Sequence, residues 1–211
     1  MDIKKEALRY LGYKGEPDYQ TAQLLERAEK ELSSVNPAFC CRIMEKSECG
    51  TLLHGEDIKK HISDCGKVII FAATLGVAFE RLIRTAEITD MAYAVVLDAF
   101  ASAYIEDYCD RCEAELHKKT GGFFTWRYSP GYGDYPVSLQ SDFIRFLSAD
   151  KKIGLTATEN HILIPRKSVT AIIGVSEKPQ QKEKRSCESC NMKETCKFRK
   201  DGQGCGCKDI T

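Results

Sequence analysis

The sequence lacks an excess of either charge, and it lacks any long apolar run. Lysine plus arginine and aspartate plus glutamate each number 31 among the 211 residues, so the formal net charge is zero. A chain without excess positive charge is not steered as a whole toward nucleic acid or an anionic membrane surface. No stretch approaches the roughly 18 apolar residues of a membrane span. We therefore expect neither a nucleic-acid partner nor a membrane partner.

The first ten residues, MDIKKEALRY, lack the apolar core of a secretory signal. We therefore expect a cytoplasmic protein. The chain nevertheless has eleven cysteines. In a reducing compartment such a number indicates metal binding or redox chemistry more than a disulfide framework.

The apolar residues are spaced in ways that predict both helices and strands. A helical period is seen from Pro17 to about Ser33, and again from a Thr89-Asp90 cap to about Lys118. Strands are predicted at Ala38–Met44, Thr51–Leu53, Lys67–Thr74, Phe123–Arg127, His161–Ile164 and Ser168–Val175. This order predicts an α+β fold in which long helices pack on a mixed, largely antiparallel sheet.

The long helix after Asp90 is predicted to end at Gly121-Gly122, because glycine commonly terminates helices. Its predicted inward face consists mainly of small residues, namely Ala92, Val95, Ala99, Ala103 and Ile105. Small side chains on that face would allow a neighbouring element to approach closely.

Composition divides the chain into three parts. Residues 1–176 are predicted to form one domain, with a largely helical portion over about 1–60. Residues 177–186 have almost no apolar side chains, which is typical of a linker. Residues 187–211 form a cysteine-rich tail.

The segment from Arg127 to Pro136, RYSPGYGDYP, is a turn rich in proline, glycine and tyrosine. Glycines let a ligand approach the backbone, and an arginine offers a planar fork for a carboxylate. Tyrosines add apolar ring faces with a polar tip. Such a turn suits a small zwitterion with an aromatic base. The alternative is a tight surface connection with buried tyrosines.

This segment resembles the activation domain of cobalamin-dependent methionine synthase, in the form in which that domain is a separate chain. The R-x-S-P-G-Y run at 127–132 is followed by a helix that starts with Pro136, as in the family. Thr158-Glu159, Pro165 and Ser168-Val169-Thr170 then follow in the family's order. The resemblance covers roughly residues 60–176.

The resemblance implies that the chain presents the methyl group of S-adenosylmethionine to cob(II)alamin on a partner, while a flavodoxin-like or other donor supplies one electron. It implies that Arg127 binds the ligand carboxylate and that Tyr132 contacts the ligand by stacking or through its hydroxyl. It implies backbone contacts from Ser129, Pro130 and Gly131. It also makes Glu159 a candidate, which would support the loop or contact the ligand ammonium. The alternative for Glu159 is an ordinary carboxylate at a strand end.

The chain departs from the family at two helix positions that help to line the ligand site. Ala99 and Ser102 stand where the family has an arginine and a glutamate, although Glu106 offers a carboxylate one turn further on. The chain also has no D-x-H-x-x-G segment, the family's cobalt-ligating signature. We therefore expect the cobalamin to lie on a partner, and the chain to act as a subunit of a methyltransferase.

The tail contains five cysteines: Cys187, Cys190, Cys196, Cys205 and Cys207. Four thiolates can hold a tetrahedral zinc ion or an iron–sulfur cluster, and the alternative is a set of reduced thiols. Three functions remain open at this point. They are a methionine synthase reactivation component, an iron–sulfur activator of another corrinoid methyltransferase, and a non-enzymatic docking module with a zinc tail.

Overall fold

A computed structural model describes residues 2–179. The helices are α1 Ile3–Tyr10, α2 Tyr19–Leu32, α3 Glu56–His61, α4 Val77–Thr89, α5 Met91–Thr120, α6 Gln140–Leu147 and α7 Ala149–Ile153. The strands are β1 Ala38–Glu45, β2 Lys67–Thr74, β3 Phe123–Phe124, β4 Thr156–Ala157, β5 Leu163–Ile164 and β6 Ser168–Ser176. The predicted α+β class is confirmed.

Four of the strands form one sheet in the order β1-β2-β6-β3, and every neighbouring pair is antiparallel. Ile70 at the centre of β2 lies opposite Arg42 on one side and Ile172 on the other. Strands β4 and β5 pair with each other as a separate hairpin. The predicted, largely antiparallel sheet is therefore confirmed.

Strand β2 is buried from Val68 to Thr74 because helices cover both faces of the sheet. Ile69, Phe71 and Ala73 belong to the core that contains α1, α2, α4 and α5. Val68, Ile70 and Ala72 belong to the core that contains α3, α6 and α7. The alternation of side chains along a strand thus assigns successive residues to the two cores.

Helix α5 begins and ends close to the predicted residues. The side chain of Asp90 accepts a hydrogen bond from the backbone N–H of Tyr93 at 3.0 Å, and Gly121 ends the helix with a φ of 66°. The predicted inward face is wrong at its N-terminal end, because Ala92 is exposed and Val95 is 53% exposed. Tyr93, Leu97 and Phe100 are buried instead, since larger apolar side chains gain more from leaving water.

Three predicted strands are corrected. The strand expected at His161–Ile164 is shortened to β5, because His161 has a φ of 60° in the turn that follows β4. Residues 50–52 form a 3-10 turn where a strand was expected at Thr51–Leu53. The strand expected at Phe123–Arg127 is regular only over β3. Thr125 interrupts the ladder, because its backbone N–H donates to the carbonyl of Gly174 while its hydroxyl accepts from the N–H of that same residue. Backbone pairing with β6 resumes at one further position, where Tyr128 lies opposite Ile172.

None of the helices between residues 2 and 179 is long and apolar enough to cross a lipid bilayer. The predicted domain boundary at 176 and the linker at 177–186 stay predictions, because the described residues end at 179.

Candidate ligand-binding site

Residues 127–136, here named the edge loop, leave the open edge of the sheet after β3. Tyr128 exchanges two backbone hydrogen bonds of 2.9 Å with Ile172, which fixes where the loop begins. The loop then closes on itself, as the N–H of Gly131 donates to the carbonyl of Tyr135 at 2.8 Å. Gly131 has a φ of 100° and Gly133 a φ of 52°, a backbone region that other residues rarely adopt.

The far end of the edge loop is attached to the N-terminus of α3. The carboxylate of Asp134 accepts hydrogen bonds from the backbone N–H groups of Glu56 at 2.7 Å and Asp57 at 3.1 Å. The carboxylate of Asp57 accepts one in return from the N–H of Asp134 at 3.1 Å. The two bonds from Glu56 and Asp57 satisfy N–H groups that a helix leaves free in its first turn, and they lower the pKa of Asp134.

The three tyrosines of the edge loop have different environments. Tyr135 is buried and its hydroxyl donates to the carbonyl of Leu52 at 2.6 Å. Tyr128 is also buried, which raises its pKa to about 12. Tyr132 is 46% exposed, with its ring 6.0 Å from that of Trp126 and 5.7 Å from that of Tyr128. Two tyrosines therefore hold the loop, and the third presents an aromatic ring at the surface.

The side chain of Arg127 lies on the opposite side of the loop, against α5. Its guanidinium pairs with Glu106 at 2.8 Å, with Asp110 at 3.0 Å and also with Glu113. Only 14% of the side chain is exposed. Burial alone would lower the pKa of Arg127, but the three carboxylates outweigh it and raise the pKa. Burial also raises the pKa of Glu113 in spite of the nearby cation.

These ion pairs bear directly on the predicted role of Arg127. The guanidinium is already engaged by protein carboxylates, so a ligand carboxylate would have to displace at least one of them. Direct binding of that carboxylate by Arg127 stays a prediction, and the geometry counts against it. The structure does bring Glu106 beside Arg127, as expected if Glu106 serves the site.

A second cation lies further toward the N-terminus of α5. The ammonium group of Lys167 contacts the carboxylate of Asp98 at 2.8 Å and the hydroxyl of Ser102 at 2.8 Å. Ser102 is one of the two positions at which the chain departs from the family pattern. Sequence reasoning missed Lys167, although it directly precedes the Ser168-Val169-Thr170 segment that carries part of the resemblance.

Glu159 is not joined to the edge loop by any hydrogen bond or ion pair described for residues 2–179. It is exposed at the turn between β4 and β5. The hydroxyl of Thr158 supports this turn by accepting from the N–H of Ile162 at 3.1 Å. This placement matches the alternative of an ordinary carboxylate beside a strand, and a ligand role for Glu159 stays a prediction.

Two surface grooves of the described residues lie away from the edge loop. One is lined by α6, α7 and β4, and the other by residues around Lys46 and Lys59. Neither contains a residue of the edge loop or of α5. They therefore add nothing to the candidate site.

The cysteines among residues 2–179 form no disulfide. Cys40, Cys109 and Cys112 are buried in the two cores, as the packing interpretation predicts. Burial raises the pKa of Cys109, which disfavours the reactive thiolate form. No group of three metal-ligating side chains is found in this part of the chain. The tail cysteines, Cys187, Cys190, Cys196, Cys205 and Cys207, lie outside the described residues.

Neither a family model nor a curated protein matches this sequence. Among solved structures, the fold is similar to that of a crystal structure of the MetH reactivation domain bound to AdoHcy. The TM-score is 0.56 at 13% sequence identity, over 97% of this chain and 85% of that one. At this level of identity the comparison shows only the fold of the chain, which is like that of a MetH reactivation domain.

Proposed function

We propose that this chain is a cytoplasmic reactivation component of cobalamin-dependent methionine synthase, and that it binds S-adenosylmethionine. One observation carries the proposal. Arg127, the first residue of the R-x-S-P-G-Y loop, pairs with the polar face of α5, in a fold similar to that of a MetH reactivation domain bound to AdoHcy. AdoHcy is the thioether that remains after S-adenosylmethionine gives up its methyl group, so the two ligands share all other atoms.

The edge loop offers room and an aromatic surface for such a ligand. Apart from Gly131 and its two chain neighbours, no residue comes within 4 Å of the point where a side chain on Gly131 would begin, so this turn opens to free space. The ring of Tyr132 is exposed directly beside it. We propose that the adenine base stacks on Tyr132 and that Ser129, Pro130 and Gly131 border the ligand through their backbone.

The charge on α5 suits a cationic ligand. Glu106, Asp110 and Glu113 share one cation, Arg127, and the side chains of Glu106 and Asp110 are 44% and 56% exposed. S-adenosylmethionine has a sulfonium and an ammonium group against one carboxylate. A surface with more carboxylates than cations therefore favours this ligand over an anionic nucleotide such as ATP.

In the proposed reaction, S-adenosylmethionine would give its methyl group to the partner's cobalamin and remain as AdoHcy, and a flavodoxin-like or other donor would supply the one electron that cob(II)alamin needs. The part of this chain would be to bind S-adenosylmethionine and orient its sulfonium toward the partner, which is a positioning task. Cobalt, homocysteine and folate would bind elsewhere, so we expect no turnover by this chain alone.

The proposal is tested by isothermal titration of the full chain with S-adenosylmethionine, AdoHcy and ATP. We expect the first two to bind and ATP not to bind. Tyr132→Ala should weaken both ligands about tenfold, because it removes a stacked ring. Tyr19→Ala is the matched control, since it removes a tyrosine that is 78% exposed on α2. A wild-type chain that binds ATP as tightly as S-adenosylmethionine would contradict the proposal.

We propose further that the tail cysteines hold zinc or an iron–sulfur cluster, which would place a metal centre on the same chain as the ligand site. Iron, sulfide and zinc are to be measured on anaerobically purified full chain and on Cys187→Ser/Cys190→Ser. We expect one of these metals in the wild type and its loss in the variant. Absence of all three from the wild type would leave the thiols without a metal role.

A further inference from the structure

The polar face of α5 carries a regular row of side chains. Asp98, Ser102, Glu106 and Asp110 recur at intervals of four residues, so they lie above one another on the helix. Lys167 reaches the row at Asp98 and Ser102, and Arg127 reaches it at Glu106 and Asp110. The row therefore has a cation at each end, with about 6 Å of helix rise between Ser102 and Glu106.

The backbone around Lys167 is held in place independently of the row. The buried carboxylate of Glu80 accepts from the N–H of Arg166 at 3.0 Å and from its guanidinium at 3.1 Å. The carbonyl of Lys167 accepts from the N–H of Leu75 at 3.0 Å. Only 16% of the Lys167 side chain is exposed, so its position is well defined.

The two cations differ in how much of their hydrogen-bonding capacity is used. Lys167 has three donors, and its described partners are one carboxylate and one hydroxyl. The hydroxyl of Ser102 donates to the carbonyl of Asp98 at 2.9 Å, so it faces Lys167 as an acceptor. Arg127, by contrast, is engaged by three carboxylates. A ligand carboxylate therefore finds less competition at Lys167 than at Arg127.

We infer that Lys167 binds the α-carboxylate of the ligand's methionine part and that Glu106 binds its α-ammonium. Arg127 then acts as a positioning residue that orients Glu106. Lys167 contacts α5 at Ser102, and Glu106 lies one helical turn further along α5. Two opposite charges on flexible side chains at these places match the adjacent carboxylate and ammonium of an amino acid. This inference rests on the proposed function, because it names the groups that recognise S-adenosylmethionine.

The ion pair between Lys167 and Asp98 allows a test in which the two partners give opposite results. Lys167→Met should weaken S-adenosylmethionine binding about tenfold or more, because a charge-assisted hydrogen bond is lost. Asp98→Asn should tighten binding a few-fold, because it removes the carboxylate that competes for the ammonium. If the pair were merely structural, both variants would weaken binding. Glu106→Gln should weaken binding as Lys167→Met does.

A ligand without the amino-acid part provides the second control. 5′-Methylthioadenosine has neither the α-carboxylate nor the α-ammonium, so Lys167→Met should leave its affinity unchanged while weakening S-adenosylmethionine and AdoHcy alike. Lys67→Met is the matched variant, since Lys67 forms an ion pair with Glu45 on the sheet, away from α5. Denaturant unfolding of each variant checks that it is folded.

The outcomes separate this inference from the proposed function. If the wild-type chain does not bind S-adenosylmethionine, both fail. If it binds, and Lys167→Met and Asp98→Asn change its affinity in the same direction, the proposed function stands and the assignment of Lys167 is overturned. Loss of 5′-methylthioadenosine binding in Lys167→Met would likewise overturn it, because the effect would then not depend on the amino-acid part.

Discussion

The two sides of the edge loop are held by different physical interactions. Toward α3, the loop is attached by a buried tyrosine and by backbone hydrogen bonds to Asp134. Toward α5, it is attached by one arginine among three carboxylates, two of which are half-exposed. The difference indicates a division of roles: the α3 side determines the path of the backbone, and the α5 side carries the charged groups that a ligand would meet under the proposed function.

The largest effect is expected on the α3 side. Tyr135→Ala removes a fully buried ring and should lower the free energy of unfolding by about 4 kcal/mol. Tyr135→Phe keeps the ring and loses only the bond to Leu52, so it should cost about 1 kcal/mol. Denaturant unfolding measures both values. The half-exposed Tyr132 is the control, and an equal loss for Tyr132→Ala would contradict the comparison.

An intermediate effect is expected on the α5 side. Arg127→Met leaves three carboxylates facing one another, one of them largely buried, and should lower the free energy of unfolding by about 3 kcal/mol at pH 8. The double variant Arg127→Met/Glu113→Gln should recover part of this loss. If it does not, repulsion at Glu113 is not the cause.

The same variant should depend on pH in a defined direction. Burial already raises the folded-state pKa of Glu113, and loss of Arg127 raises it further. A carboxyl group with a raised folded-state pKa destabilises the fold as the pH rises through that value, and this penalty is absent below its unfolded pKa. The deficit of Arg127→Met relative to wild type should therefore be smaller at pH 5 than at pH 8. A deficit that grows on acidification would contradict the assignment.

The smallest effect is expected for Asp134→Ala, which exposes two N–H groups of α3 to water. At pH 7 the denaturation midpoint should fall slightly. The folded-state pKa of Asp134 is lowered by these bonds, so its contribution should persist down to its ordinary pKa of about 3.9 and disappear as the pH falls further. Unfolding curves at pH 7 and at lower pH measure this. A difference between variant and wild type that is already lost at pH 5 would show that the cap contributes little.

Much of the fold could be predicted because its longest elements are locally determined. The cap at Asp90, the glycine at 121 and the apolar run of β2 each mark their element within a few residues. The failures occur where tertiary contacts prevail over local pattern. Thr125 gives up regular pairing because its hydroxyl binds Gly174, and the N-terminal half of α5 buries Tyr93 and Leu97 in place of Ala92 and Val95.

The candidate site could be predicted only in part. Proline and glycine mark the edge loop in the sequence, so its position was predicted, but the burial of Tyr128 and Tyr135 was one of two alternatives. Lys167 lies 65 residues from Ser102, its hydrogen-bond partner. No local pattern indicates such a contact, because it depends on how β6 and α5 pack.

The sequence by itself determined the longest helices and strands and the position of the edge loop. Capping, periodicity and the conformational limits of glycine and proline act over a few residues, so the sequence shows them directly. Only the tertiary structure decided that Arg127 is engaged by three carboxylates while Lys167 contacts one carboxylate and one hydroxyl. Charge pairing is a property of distance in space, and these charges are brought together by the packing of the sheet against α5.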